Sequence, residues 1–275
     1  MNTKKISNEL RVEILKMIHR AQSGHPGGSL SAIDLLTCIY FAKDSQGLPF
    51  LNHNPKDPNF LERDYLILSK GHCSPALYAV LGEAGFFPKS EWENFRKISS
   101  RLQGHPVRKI PGVEMTTGSL GQGLSVACGL AAGKRDKKVY AIIGDGELEE
   151  GQIWEAIMSA AQFKLNNLIT IVDRNHLQID GETKEVMNSS PLQEKLESFN
   201  WRVYRIRDGH NHDEIIETLE RADKEKEKSD KPAFVIAETV KGKGVSFMEG
   251  KASWHGSPPS DEELDVAIKE LATSP

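Results

Sequence analysis

An aspartate and an asparagine follow two apolar runs that the sequence predicts to be buried strands. Asp145 comes just after the run at 139–143, and Asn175 comes just after the run at 168–172. Because the carboxyl ends of parallel strands in one βαβ unit lie on the same sheet edge, the two side chains are expected to converge there. A carboxylate, an amide oxygen and a backbone carbonyl form the incomplete shell that Mg²⁺ completes with water and phosphate oxygens.

The turn around Asp145 also has a simpler interpretation. Gly144 and Gly146 let the backbone turn sharply and approach a ligand, just ahead of a predicted helix whose first turn can hold a diphosphate. The same residues could instead form only a strand-to-helix turn in which Asp145 caps the helix. Taken alone, the Gly-Asp-Gly motif indicates a helix cap more than a metal site.

Three histidines, His25, His72 and His105, each follow a glycine directly in a predicted loop. A fourth, His255, is flanked by glycine in the long loop at 241–259. Imidazole takes up and releases a proton near neutral pH, so these side chains are candidates for proton transfer. Since the chain has nine histidines, the spacing alone does not separate a shared site from coincidence.

Residues 116–133 are unusually rich in glycine and alanine. Gly118, Gly121 and Gly123 predict a loop whose backbone N–H groups can meet a ligand, followed by a helix of small residues. A tight contact between two helices, with no ligand, would use the same residues. Spacing does not separate these two interpretations.

Predicted helices and strands alternate between these loops. Strands are predicted at 65–68, 139–143, 168–172, 201–206 and 233–237. Helices are predicted at 7–22, 30–42, 153–161 and 212–228, and a further helix is predicted to start near 75. Two more helices are predicted to begin at the capping boxes at 90–93 and 260–263. A loop is predicted at 24–29. The alternation predicts an α/β fold, a doubly wound and mostly parallel sheet with helices on both faces, in a single domain spanning 1–275.

Composition excludes several classes of function. The chain has 275 residues, 27% of them charged, and a formal net charge of −4, which argues against nucleic acid or an acidic membrane as a partner. No segment is long and apolar enough to predict a membrane span. The three cysteines lack metal-ligand spacing, with Cys38 and Cys128 expected in the core, so a reducing, cytoplasmic setting is expected.

Seven motifs in the chain match those of one family. In chain order they read SGHPGGSLS, LSKGHCSPALYAVL, GHP, TTGSLGQGLS, GDGELEEGQIWEA, DRNHLQIDG and WHGSPP. Their order and approximate spacing resemble the thiamine diphosphate domain of transketolases, over essentially the whole chain. The resemblance implies the thiamine diphosphate-binding fold and a transferase that moves a two-carbon ketol unit from a ketose phosphate to an aldose acceptor.

The resemblance also implies roles for individual residues. The side chains of Asp145 and Asn175 and the carbonyl of Leu177 resemble the ligands of the Mg²⁺ that anchors the diphosphate. The candidate cofactor contacts are His72, Gly118, Ser119, Leu120, Gly121, Gly144, Asp145, Gly146, Glu147, Asn175 and His255. The candidate catalytic residues are His25, His72, His105, His255 and Glu150. The histidines match those that assist proton transfer and bind sugar hydroxyls, and Glu150 resembles a carboxylate that links cofactor sites across the subunit interface.

The length of the chain departs from the usual pattern of the family. Most transketolases are more than twice as long, and their second half carries the pyrimidine-binding domain and the residues that grip the sugar phosphate. The chain therefore resembles the N-terminal subunit of a split transketolase. This implies a C-terminal partner subunit, a dimer of heterodimers (a heterotetramer), and sugar phosphates such as pentose phosphates as substrates. Cys73, beside His72, stands where many relatives have a small residue, and is expected to pack.

Three other functions are compatible with part of the pattern. The α subunit of a 2-oxoacid dehydrogenase has a similar Gly-Asp-Gly to Asn motif, but the three early Gly-His loops argue against it. A deoxyxylulose-phosphate synthase has related motifs, yet is normally one long chain. A non-catalytic module that binds the cofactor or a partner is a third alternative. The intact set of Asp145, Asn175 and four loop histidines argues against such a loss of catalysis.

Overall fold

A parallel sheet forms the centre of the computed structural model, which describes residues 2–273. Its five strands lie in the order β1, β2, β3, β7, β6. The strands of this sheet are β1 (Tyr65–Leu68), β2 (Val139–Gly144), β3 (Leu168–Arg174), β6 (Arg202–Ile206) and β7 (Ala233–Glu238). A separate short hairpin consists of β4 (Leu177–Gln178) and β5 (Gly181–Glu182).

Helices connect these strands and flank the sheet. In the described residues they are α1 (Thr3–Ala21), α2 (Pro26–Phe41), α3 (Ser74–Ala84), α4 (Gln122–Gly133), α5 (Gly151–Gln162), α6 (Thr183–Val186), α7 (Leu192–Ser198), α8 (His212–Glu225) and α9 (Asp261–Thr273). The predicted capping box before α9 is confirmed, because Ser260 Oγ accepts from the Glu263 amide at 3.2 Å and the Ser260 amide donates to Glu263 at 2.8 Å.

Successive residues of the central strands belong to two different apolar cores. In β2, Tyr140 and Ile142 pack with α1, α2, α3 and α8, whereas Ala141 and Ile143 pack with α4, α5 and α7. Side chains alternate between the two faces of a strand, so each face of this sheet is covered by its own layer of helices. The predicted doubly wound α/β fold with helices on both faces is confirmed.

The strand register aligns the polar ends of neighbouring strands. Gly144 at the end of β2 pairs with Asp173 of β3, and Asp173 pairs in turn with Ala237 of β7. Because all these strands run in the same direction, the residues after each one emerge at the same edge. The predicted strand ended at 172, but Asp173 and Arg174 also belong to β3, where they continue the hydrogen-bonded ladder with β7.

The prediction of a loop at 24–29 was wrong, because α2 begins at Pro26. Proline suits the first turn of a helix, where its missing N–H costs no hydrogen bond. The two glycines that follow allow close contact rather than flexibility. A Cβ on Gly27 would lie 2.8 Å from the carbonyl oxygen of Trp254, and one on Gly28 would lie 2.8 Å from Cys73 Sγ.

Two other predicted helices differ from the structure. The capping box at 90–93 does not open an α-helix, and Lys89–Asn94 forms a short 3₁₀ helix that ends before the left-handed residue Arg96 (φ 61°). The helix predicted at 212–228 ends as an α-helix at Glu225 and continues as one 3₁₀ turn, Lys226–Lys228.

The three cysteines are buried and none forms a disulfide. This confirms the expected core positions of Cys38 and Cys128. Cys73 is packed against the backbone of α2, as its proximity to Gly28 shows. Among residues 2–273, none of the helices combines the length and the apolar character needed to cross a bilayer.

Candidate functional site

A cavity of about 260 Å³ opens at the carboxyl edge of the sheet. The segments after β1, β2, β3 and β7 all contribute to its wall, together with the start of α2 and the loop before α4. Open α/β sheets bind ligands at this edge, because the connecting loops meet there. The lining residues are His25, Gly28, Lys70, His72, His105, Gly118, Leu120, Gly144, Asp145, Gly146, Glu147, Asn175, Leu177, Gln178, Ile179, Lys241 and His255.

Three of the four predicted histidines are in mutual contact. The ring centroids of His25 and His72 are 5.1 Å apart, those of His25 and His255 are 5.4 Å apart, and those of His72 and His255 are 5.2 Å apart. His105 lines the same cavity. The Gly-His loops therefore meet in one place, although the sequence left a shared site no more favoured than coincidence.

Burial keeps this cluster uncharged near neutral pH. It lowers the pKa of His25 to about 4, with a further contribution from the Arg96 guanidinium. The pKa of His255 falls to about 3, through burial and then the nearby Lys241 ammonium. The pKa of His72 is lowered in the same way, mainly by burial. Neutral imidazoles can each donate one hydrogen bond and accept another, which suits them to hold hydroxyl groups and to pass protons.

Lys241 determines the tautomer of His255. Its ammonium donates to His255 Nδ1 at 3.1 Å, so Nδ1 carries the lone pair and the ring proton is on Nε2. The same ammonium donates to the carbonyl oxygen of Leu177 at 3.2 Å. Lys241 is only 2% exposed, and burial, followed by repulsion from Lys70, lowers its pKa. A cation is thus held inside the cavity between an imidazole and a backbone oxygen.

Oxygen atoms from the residues after β2 and β3 and from β4 lie in the same cavity as this lysine. Asp145 accepts from the amide of Gly146 at 2.9 Å and from the amide of His176. Asn175 Oδ1 accepts from the amide of Leu177 at 3.2 Å. The structure therefore brings together the three predicted metal ligands, namely Asp145, Asn175 and the carbonyl of Leu177, at one side of the cavity.

The chemistry of these donors suits a hard divalent cation. Burial, and then repulsion from Asp173, raise the pKa of Asp145 to about 6, so the protein alone does not fully compensate its charged form. A bound cation would supply that compensation. Within residues 2–273, no group of three His, Cys, Asp or Glu side chains is arranged to hold a metal. A mixed set of carboxylate, amide and carbonyl oxygens fits Mg²⁺, which retains water and phosphate ligands.

A buried ion pair forms the floor of the site. Lys70 Nζ is bonded to Asp173 and lies 3.2 Å from the carbonyl oxygen of Gly28. Asp173 also accepts from the hydroxyls of Ser31 and Thr239. Burial alone would raise the pKa of Asp173, but Lys70 and these donors lower it. Through these contacts, the ion pair connects the segment after β1 with β3, α2 and the residue after β7.

Glu147 organises the glycine-rich loop before α4. Its carboxylate accepts from the Gly121 amide at 2.6 Å, from the Gly144 amide at 3.1 Å and from Ser69 Oγ. The Gly121 N–H is therefore engaged within the protein, whereas Gly118 and Leu120 face the cavity. Gly123 belongs to α4, where a Cβ would lie against the Ser69 side chain. The segment thus packs tightly at Gly123, though against the segment after β1 rather than against a second helix, and it also lines the cavity.

Three predicted site residues do not line the cavity. Glu150 is exposed at the start of α5, Ser119 is exposed in the loop, and Gly121 is buried beneath it. The sequence prediction also missed five lining residues: Gly28, Lys70, Gln178, Ile179 and Lys241. A signal for the two lysines was present. Each follows a strand of the parallel sheet, as Asp145 and Asn175 do.

The chain matches one family model over residues 2–275, described as transketolase, thiamine diphosphate binding domain. It is 40% identical to one of the subunits of the apulose-4-phosphate transketolase of Phocaeicola vulgatus, over 97% of this chain and 92% of that protein. It is 42% identical to a 6-deoxy-6-sulfo-D-fructose transketolase subunit of Clostridium sp. strain MSTE9, over 96% of this chain and 94% of that protein. The chain belongs to the transketolase family.

Solved transketolases share the fold. The structure aligns with transketolase from Campylobacter jejuni at a TM-score of 0.89 and 35% identity, over 99% of this chain and 43% of that one. The transketolase from Leishmania mexicana aligns at a TM-score of 0.91 and 28% identity, over 99% of this chain and 41% of that one. The chain thus spans about two fifths of these transketolases and corresponds to their N-terminal, thiamine diphosphate-binding part.

Proposed function

We propose that the chain is the thiamine diphosphate- and Mg²⁺-binding subunit of a split transketolase, which moves a two-carbon ketol unit from a ketose phosphate to an aldose with a C-terminal partner. The observation that carries the proposal is the meeting of His25, His72 and His255 beside Asp145, Asn175 and Leu177 in one cavity. Neutral proton carriers thus lie next to a set of oxygen donors for a metal diphosphate. A strand-to-helix cap alone would require neither the imidazoles nor the buried lysines.

The residues of the cavity fit the cofactor. Within the described chain, His25 Nδ1 is buried and has no hydrogen-bond partner, an arrangement that a bound polar group would satisfy. Asp145, Asn175 and Leu177 would hold the metal, while Gly118, Leu120 and Gly146 would lie against the cofactor. When bound, the cofactor supplies the electron sink that breaking a carbon–carbon bond beside a carbonyl requires. Lys241 and the metal would together balance the charge of the diphosphate.

The histidines hold and transfer protons at defined atoms. Because Nδ1 of His255 accepts from Lys241, its Nε2–H is the group free to donate to a substrate oxygen. His25 and His72, whose pKa values are lowered, remain neutral through the physiological range, so each can accept a proton from a hydroxyl. His105 extends this wall of the cavity toward the loop at 118–121. A sugar whose hydroxyls meet these rings would be oriented before reaction.

A partner subunit completes the proposal. The two relatives named as transketolase subunits match this chain over 92% and 94% of their length, which supports a separate chain for the remaining domain. Glu150 is exposed at the start of α5, where a carboxylate that meets another subunit would have to be. We propose a dimer of heterodimers, with the pyrimidine-binding domain on the partner.

We also propose a reducing, cytoplasmic setting for the protein. Its three cysteines are buried thiols outside any disulfide, which is consistent with that setting.

Calorimetric titration tests the cofactor assignment. Thiamine diphosphate is titrated with Mg²⁺ into the chain alone and into the chain mixed with its C-terminal partner, and ketol transfer from xylulose 5-phosphate is assayed in parallel. We expect Mg²⁺-dependent binding and turnover in the mixture. Binding without turnover on any ketose phosphate would favour a non-catalytic binding module. No binding in either sample would refute the proposal.

A further inference from the structure

A second buried cluster joins α1, α2 and the segment that enters α8, and none of its residues lines the cavity. At its centre is Asp34, whose side chain is 2% exposed. Arg11 donates to both of its carboxylate oxygens, while His210 Nδ1 lies 2.7 Å from one and His212 Nε2 lies 3.0 Å from the other. The carboxylate is thus fully hydrogen-bonded, and it holds the three side chains in fixed orientations.

His210 connects this cluster to the segment that follows β7. Its Nε2 accepts from the backbone N–H of Val240 at 2.9 Å. A nitrogen that accepts carries no proton, so the ring proton is on Nδ1 and is donated to Asp34. The neutral ring is thereby bonded at both ends. It forms a bridge from a buried carboxylate to the residue directly before Lys241.

The backbone around His210 is shaped for this bridge. The Gly209 amide donates to the carbonyl of Glu238 at 2.6 Å, and a Cβ on Gly209 would lie 2.5 Å from Thr239 Cγ2. Glycine is required by this close approach, which presses the turn against the end of β7. His210 consequently lies beside Val240 and has little freedom to move away, since its side chain is only 8% exposed.

The cluster contacts the same loop at a second point. Arg11 Nε donates to the carbonyl of Lys243 at 3.1 Å. Between the two contacts, the Gly242 amide donates to the Gly27 carbonyl at 2.9 Å, and a Cβ on Gly27 would lie 2.9 Å from Lys241 Cγ. Residues 240–243 are therefore fixed on both sides of Lys241, while its ammonium extends into the cavity.

We infer that His210 is a positioning residue, which acts through Val240 to hold the Lys241 ammonium where it meets the diphosphate and His255. The inference rests on the proposed function, because it assigns Lys241 a task in that site. His210 does not line the cavity and touches neither the cofactor position nor the substrate position. Substitution of His210 should therefore change the affinity for the cofactor, whereas His210 itself takes no direct part in proton transfer.

Two substitutions separate positioning from stability. His210→Gln places an amide oxygen near the former Nε2, where it can still accept from Val240, but it weakens the contact with Asp34. His210→Asn keeps a donor near Nδ1 for Asp34 and leaves the Val240 N–H without an acceptor. We expect His210→Asn to raise the thiamine diphosphate dissociation constant about tenfold in the presence of Mg²⁺, and His210→Gln to raise it by about twofold or less. The wild-type chain, with its partner, provides the baseline.

Hydrogen exchange and melting temperature complete the test. In His210→Asn, the amides of residues 240–243 should exchange faster, with α8 unchanged. Equal cofactor affinities in the two variants, or affinities that follow only their melting temperatures, would overturn the inference. If the wild-type protein itself fails to bind the cofactor, the proposed function fails instead. Should His210→Asn not fold, the ¹⁵N NMR shifts of the His210 ring in the wild-type protein decide instead, and a proton on Nε2 would overturn the inference, because that nitrogen could then not accept from Val240.

Discussion

The ammonium of Lys241 lies 3.2 Å from the carbonyl oxygen of Leu177. This carbonyl is one of the three proposed metal ligands, so a lysine bonds the very oxygen that the metal would use. Binding of Mg²⁺ with the diphosphate would then release the ammonium to pair with phosphate oxygens. The carbonyl would thus have a cationic partner both before and after the cofactor binds.

Lys241→Met is expected to weaken thiamine diphosphate binding about tenfold or more, since a hydrogen bond to a charged group contributes about 1.5–3 kcal/mol. Calorimetric titration in the presence of Mg²⁺ measures this directly. Lys243→Met is the matched control, because Lys243 is bound to Glu249 at 3.3 Å, is about one third exposed and does not line the cavity. An equal loss in both variants would show that the effect is not specific to the site.

Lys241→Met should also raise the pKa of His255, because the Lys241 ammonium is one of the groups that lower it. NMR titration of the His255 ring measures this change.

Asp145→Asn should abolish Mg²⁺-dependent cofactor binding and yet stabilise the cofactor-free chain. Burial and Asp173 raise the pKa of Asp145 to about 6, above its value in the unfolded chain. Ionisation of this buried carboxyl therefore lowers the free energy of unfolding as the pH rises through that value. The Asn variant carries no ionisable group at this position, so its free energy of unfolding does not fall for this reason. We expect a gain of less than about 2 kcal/mol in the free energy of unfolding at neutral pH, because the Asn Nδ2 would face one of the two backbone amides that donate to the carboxylate.

Chemical denaturation with and without thiamine diphosphate and Mg²⁺ measures both effects of Asp145→Asn. The control is Asp180→Asn, which removes an exposed carboxylate in the hairpin between β4 and β5. Cofactor-dependent stabilisation should persist in the control. Its persistence in Asp145→Asn would contradict the metal assignment.

The cofactor-free chain should lose stability as the pH falls from about 6.5 toward 4, because the contributions of two histidines outweigh the opposite contribution of Asp145. The pKa of His25 is lowered to about 4 and that of His255 to about 3, so both rings take up protons on unfolding in this window while the folded chain does not. Each such ring contributes up to about 1.4 kcal/mol per pH unit. His25→Asn should make this slope shallower. Ser257→Ala, a neutral change in the loop of His255, should leave it unchanged, and equal slopes in all three proteins would refute the explanation.

Asp173→Asn should lower the free energy of unfolding by about 3–5 kcal/mol, because it leaves the Lys70 ammonium buried without its counter-charge. The control is Asp230→Asn, which breaks an exposed pair with Lys164 and should have little effect on stability. Denaturant titration measures both effects. A Lys70→Met, Asp173→Asn double variant that recovers much of the loss would confirm that the unpaired charge is the cause.

Local sequence patterns were sufficient for the sheet and for the residues at its edge. The apolar runs at 65–68 and 233–237 became β1 and β7 to within one residue, because a strand buried on both faces requires apolar side chains at every position. Asp145 and Asn175 could be placed together from the βαβ geometry alone. The family resemblance added the histidines, which spacing did not assign.

The missed features depend on contacts between distant parts of the chain. The helix start at Pro26 was missed because glycine usually marks a loop, whereas Gly27 and Gly28 are small here to admit Trp254 and Cys73. Lys241 was passed over because lysine is usually exposed, and only the folded chain shows its ammonium between His255 and Leu177. Such partners lie on other elements, so no local pattern reveals them.

The meeting of His25 with His255 has a consequence for how the protein is made. More than two hundred residues separate these rings along the chain, and the segments after β1, β2, β3 and β7, the start of α2 and the loop before α4 contribute to the same cavity wall. Contacts of such long range form late in folding, since the intervening chain must be ordered first. During synthesis, the complete cavity cannot exist until residue 255 has left the ribosome. Cofactor binding is therefore a sign that this domain has finished folding.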